Sequence, residues 1–154
     1  MNEAVKAGCI AVAALNLLPG LTGLAVFYLG DTSGTLARSF WVLLRAGQGS
    51  ALALALAVAS LAVAGHTPDE SLFYLYSLLP LPIAFVAEQL RATSAQAVLD
   101  QRGLDGSEAV AGLPEADQHD LVAAILRREC GIMALSALVV VFLALRAAST
   151  AHGF

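Results

Sequence analysis

Charge is what this sequence lacks most. Only 13% of its 154 residues are Asp, Glu, Lys or Arg and 58% are hydrophobic, whereas an ordinary soluble domain is about 25% charged and about 45–50% apolar. Both departures, with a mean hydropathy of +0.77, exclude an ordinary water-soluble domain. Lysine occurs once, as Lys6, against seven arginines. Heavy Ala, Leu and Gly use beside that ratio points to a GC-rich bacterial genome. The net charge of −4 argues against nucleic acid as a partner. Cysteine occurs twice, as Cys9 and Cys130. The two form no CxxC or ligand spacing, so buried thiols are expected rather than a disulfide framework or a metal site.

The few charges are clustered, and the gaps between clusters carry the fold. Uncharged stretches of 24, 20, 17 and 16 residues separate Lys6 from Asp31, Arg45 from His66, Glu70 from Glu88, and Glu129 from Arg146. A helical span needs roughly 17–25 largely apolar residues, and Glu129 and Arg146 can reach outward from the ends of the shortest gap. The expected fold is a single all-α integral membrane domain over 1–154. It is a four-transmembrane-helix bundle with spans at about 7–29, 38–64, 71–91 and 130–146. The first apolar stretch exceeds the about 7–15 residues of a signal-peptide core and lacks a clear cleavage site, so an uncleaved span is expected.

In chain order, residues 1–6 form a tail too short to fold. Span 1 contains Asn16 and Pro19, whose missing donor predicts a bend. Span 2 opens with Phe40 and Trp41, continues through Arg45 and Gln48, and then runs in Ala and Leu, the best helix formers. Ala51, Ala55 and Ala59 recur every fourth residue, a small-residue face suited to helix packing. A short turn, GHTPDE, leads to span 3, where Pro80 and Pro82 break the hydrogen-bond ladder and predict a kink. Span 3 is expected to protrude to about Gln101, followed by a solvent loop over 102–113. A helix then starts at Leu113-Pro114-Glu115 and runs into span 4, so that 92–129 is a helical extension outside the membrane. Arg38, Arg91, Arg102, Arg127 and Arg128 flank loops 1 and 3, whereas the tails and loop 2 carry only Lys6 and Arg146. The positive-inside rule therefore predicts a bacterial plasma-membrane protein with both termini outside and loops 1 and 3, with the extension, in the cytoplasm.

Candidate chemistry centres on Arg45 and Glu88. Arg45 lies seven residues beyond Arg38, about 10 Å deeper, and Glu88 three residues before Arg91, about 4–5 Å from the same surface. Both fall in the cytoplasmic half, and Gln48, Gln89 and Asn16 are candidates to join them as a ligand-binding cluster beside the Pro80/Pro82 break, with Pro19 a partial counterpart. Ionisable groups inside a membrane are functional candidates by default. The plainer account is that Arg45 snorkels and Glu88 pairs with Arg91 along its own helix.

Asp31-x-x-Gly34-x-x-Ala37-Arg38 resembles part of the motif of membrane CDP-alcohol phosphotransferases. That chemistry needs several carboxylates to hold a divalent metal, but no acid precedes Gly34 directly and the downstream Asp pair is absent, so the activity is excluded. Glu115 and His119, one turn apart, read as a solvated helix start, and His66 stands alone in a turn. No catalytic residue, metal site or cofactor is expected. The expected function is a non-enzymatic membrane interaction protein or subunit whose partners are the bilayer, a second copy or another membrane protein. The rival is a carrier or binding protein for a small amphiphile, lipid or ion at Arg45/Glu88, with a bound lipid as partner.

Overall fold

The computed structural model describes residues 2–104 and 106–153. Seven helices follow one another: α1 (Asn2–Leu29), α2 (Thr35–Val63), α3 (Leu72–Leu78), α4 (Pro80–Ala92), α5 (Ser94–Gln101), α6 (Gly106–Ala111) and α7 (Glu115–Thr150). No strand occurs among the described residues. Four helical stretches, Asn2–Leu29, Thr35–Val63, Leu72–Ala92 and Glu115–Thr150, are long and apolar enough to cross a membrane.

Neighbouring long helices run antiparallel, as their contacts along the chain show. Near one end, Val26 of α1 packs with Phe40 of α2, Ala87 of α4 and Met133 of α7. Midway, Val12 and Ala13 meet Ala51 and Val140. At the other end, Val5 and Cys9 meet Val58, Phe73 and Ala147. The most extensive contact is α1 on α7; α2 lies mainly against α1 and α4 mainly against α7, so α2 and α4 meet along a thinner seam.

Alanines fill much of the interior between a few large buried side chains such as Phe40, Phe73 and Met133, and the exterior carries many large apolar groups. Ala51, Ala55, Ala134, Ala137, Ala144 and Ala147 are buried, while Leu21, Leu56, Phe85, Leu135 and Phe142 point outward. Small residues let helix backbones approach closely, and large apolar groups suit a surface that meets hydrocarbon rather than water.

Local chemistry ends the helices where the chain must turn. Gly65 follows α2 at φ +84°, and the N–H of His66 donates to the carbonyl of Leu61 at 3.0 Å. This is a left-handed helix stop that a side chain would strain. Before α2, Asp31 accepts a hydrogen bond from the Gly34 N–H at 2.9 Å and closes the turn of loop 1. Across the opposite end, the N–H of Asp69 donates to the carbonyl of His152 at 3.0 Å, tying loop 2 to the tail.

Three expectations change. The N-terminal residues do not form a loose tail, because α1 is helical from Asn2 and buries Val5 against Ala147 and Ala148. The stretch 102–113 is not simply a loop, since α6 lies within it; Asp105 falls outside the described residues. Helix reaches Gln101 as expected, but the third stretch carries a division beyond the one expected at the prolines. It is divided at Leu79, ahead of Pro80, and again at Thr93, whose hydroxyl donates back to the carbonyls of Gln89 and Leu90. Leu79 keeps right-handed helical angles (φ −57°, ψ −28°), so the chain continues in the same sense through the first division. The prolines remove the donors that the carbonyls of Tyr76 and Leu78 would otherwise meet. Beyond Thr93, α5 lies against α7 with Ser94 and Val98 buried. By contrast, Pro19 is accommodated within an uninterrupted α1.

Candidate functional site

The thin seam between α2 and α4 is bridged by charge. Periodicity places Trp41, Arg45 and Gln48 along one side of α2, at the spacing of helix neighbours. Glu88 and Arg91 have the same three-residue spacing on α4. Arg45 Nη1 donates to Glu88 Oε1 at 2.6 Å and to Gln48 Oε1 at 2.6 Å, and Gln48 Nε2 donates to the same Glu88 oxygen at 3.3 Å. The other Glu88 oxygen faces Arg91 Nη1 at 3.4 Å. Arg91 continues the chain of contacts: its Nε lies 3.7 Å from Glu129 Oε2 on α7, and its guanidinium carbon sits 5.1 Å from the centroid of the Trp41 ring. One network of alternating charge thus joins α2, α4 and α7.

Exposure sets how strongly such a network can act. The Arg45 side chain is 55% exposed and that of Glu88 31%. Interhelical polar contacts within membranes average about 0.6 kcal/mol and reach about 1.7 kcal/mol. The Arg91–Trp41 stacking, between two half-buried side chains, adds an attraction of about 0.5–1 kcal/mol. The network is a modest brace with specific geometry, and each carboxylate in it faces a cation.

Asn16 and Gln89 do not bond to this network. Asn16 is buried and donates through Nδ2 to the carbonyls of Val12 at 2.9 Å and Gly47 at 3.2 Å. It therefore ties α1 to α2 one layer below the charges. Gly47 makes that approach feasible: a Cβ there would stand 2.8 Å from Asn16 Oδ1. Gln89 is exposed, because a residue adjacent to Glu88 is turned about 100° around the helix. Asn16, Gln48, Pro80 and Ser136 share the wall of a cavity of about 20 Å³, room for about one water molecule. Pro80 is buried and Pro82 exposed; Ala51 and Ala55 are buried within the chain, whereas Ala59 is exposed.

Trp41 and Glu129 are members that the sequence reading left out. By sequence Trp41 stands only at the opening of span 2, and Glu129 only as a charge that can reach outward from the end of span 4. Spacing held the signal for both: Trp41 stands one turn before Arg45, and Glu129 lies at the same end of its span as Arg91 does of its own. Among the described residues no group of three or more His, Cys, Asp and Glu side chains is arranged to hold a metal ion.

No family model, no curated protein and no solved structure matches this chain.

Proposed function

We propose that the chain is a four-helix bundle spanning a bacterial plasma membrane, with the third span kinked at Pro80/Pro82, and that it acts without catalysis as an interaction protein or subunit. Both termini lie outside, and loops 1 and 3, with α5 and α6, lie in the cytoplasm. The observation that carries this reading is the network Arg45–Glu88–Arg91–Glu129. These four groups, drawn from α2, α4 and α7, are directed at one another. In that role they fix helix register, a use to which polar contacts in a membrane are suited. The outward belt of Leu, Phe and Val supports insertion, and the arginines at the loop 1 and loop 3 end support the orientation.

The rival reading, a carrier for a small amphiphile or ion at Arg45 and Glu88, has less to rest on. The cavity beside those residues holds about one water, so an amphiphile there would have to part α2 from α4.

Chemical cross-linking of the full chain in its own membranes, followed by purification in mild detergent, tests the interaction reading. A discrete cross-linked assembly, of this chain with itself or with one other membrane protein, is the expected result. A chain that stays monomeric and uncross-linked at every expression level overturns it.

A further inference from the structure

A second feature lies on the other side of α4, away from the charged seam. The C-terminal end of α1, the end of α5 and the first half of α7 enclose an open groove of about 1410 Å³. Arg102, Arg127 and Arg128 line it with one carboxylate, Asp120. A chain with net charge −4 thus presents a locally cationic surface there. Arg102 and Arg128 are exposed, and neither guanidinium has an ion-pair or hydrogen-bond partner among the described residues. Arg127 is held in place. Its Nε donates to the Phe27 carbonyl at 2.5 Å, and its guanidinium carbon stands 4.9 Å from the centroid of the Phe27 ring. Phe27 can lie this close to α7 because residue 131 is glycine; a Cβ there would come within 2.9 Å of the Phe27 ring.

The floor of the groove is apolar and does not stop at the arginines. Leu90, Ile132 and Leu135 belong both to it and to a second hollow of about 390 Å³ between α4 and α7, which continues along Pro82, Val86 and Val139. From Arg128 to Val139 the furrow follows twelve residues of α7, about 16 Å along the axis from first to last. One leaflet of a hydrocarbon core, half of about 30 Å, has the same depth. A cationic head site at the membrane surface opens directly into an apolar track one leaflet deep.

We propose that this groove binds an anionic phospholipid of the surrounding leaflet. Its phosphate lies against Arg102, Arg127 and Arg128, and an acyl chain lies in the furrow between α4 and α7. Basic pockets at the cytoplasmic ends of transmembrane helices are suited to acidic head groups, and anionic lipid is enriched in that leaflet. The inference rests on the membrane-spanning reading above and goes beyond it by naming a site and an occupant.

The test uses the full chain in detergent micelles, titrated with phosphatidylglycerol, with phosphatidylcholine of the same acyl chains, or with inorganic phosphate, and read by native mass spectrometry. Phosphatidylglycerol is expected to be retained preferentially and inorganic phosphate not at all. Arg102→Gln/Arg128→Gln should weaken phosphatidylglycerol retention about thirtyfold, with helicity unchanged because neither side chain has a partner among the described residues. Arg38→Gln, at an exposed position outside the groove, should retain the lipid as the parent does. A phosphatidylglycerol bearing a photoreactive acyl chain should label Leu90, Leu135 or Val139 in the parent chain. Equal retention of the two lipids, unchanged retention in the double variant, or labelling confined to other faces overturns the proposal. A chain that resists alkaline extraction from membranes yet gives any of those results loses the lipid site and keeps its spans. A chain released by alkali loses both.

Discussion

Arg45 and Glu88 are 43 positions apart in sequence and 2.6 Å apart in space, the shortest link between two helices that otherwise touch little. If the pair braces α2 against α4, removing one member leaves the other without its main partner. Arg45→Leu and Glu88→Leu should therefore each destabilise the chain, and the double variant should lose less than the sum of the two. The coupling expected is about 0.6 kcal/mol and no more than about 1.7 kcal/mol. Glu88→Gln should be milder than Glu88→Leu, since an amide still accepts from Arg45. Thermal unfolding in a fixed detergent reads all four variants; strict additivity would show that the two side chains act separately.

Asn16 and Gly47 form a second tie, between α1 and α2. Asn16→Ala removes the donor to the Gly47 carbonyl and should cost about 1 kcal/mol. Gly47→Ala places a methyl group 2.8 Å from Asn16 Oδ1 and should also destabilise. Combined, the two should cost less than their sum, because truncating the amide makes room for the methyl. The same unfolding assay checks this, and a double variant as poor as the sum would mean that the two sites do not share a contact.

Much of the helical plan was legible from charge alone. Stretches without charge in this chain match the stretches that are long and apolar enough to cross a membrane, because a buried charge is costly in hydrocarbon wherever it falls. Depth arithmetic from Arg38 and Arg91 also put Arg45 and Glu88 in the same half. Helix rotation was the weaker guide. Glu88 and Gln89 are adjacent in sequence, yet one faces α2 and the other faces out. Asn16 meets Gly47 only because of the way α1 leans on α2. The arginine groove was not legible at all. It requires α5 to continue along α7 beyond Thr93, and no local pattern in the sequence announces which face of α7 the arginines then meet.

The positive-inside orientation is open to direct labelling. Cys9 and Cys130 are buried, which keeps background reaction low. Thr67→Cys in loop 2 and Ala116→Cys at the start of α7 are both at exposed positions. An impermeant maleimide should label Thr67→Cys in intact cells and Ala116→Cys only after permeabilisation. The reverse pattern would invert the assigned topology.

Ala55 and Ala59 separate internal packing from association between copies. Ala55 is 3% exposed, and a leucine there should overpack the helices at a cost of about 1–3 kcal/mol. Ala59 is exposed, so Ala59→Leu should leave the unfolding temperature of the single chain unchanged. If copies associate through α2, that same change should shift the cross-linked species toward monomer. An unchanged cross-linking pattern would move the contact to another face.

Helix α7 runs unbroken for 36 residues, about 54 Å, well beyond the about 30 Å of a hydrocarbon layer. The companion segments α3, α4 and α5 cover a similar path in three pieces, jointed at Leu79 and Thr93. A stiff mast beside a jointed arm divides the mechanical labour. A displacement of the N-terminal end of α7 would travel as a tilt to the tail that holds Asp69, whereas the same push on α5 would meet the divisions at Thr93 and Leu79. Glu88 and Arg91 both lie on the segment between those joints, so the charged brace is fastened to the arm's middle piece.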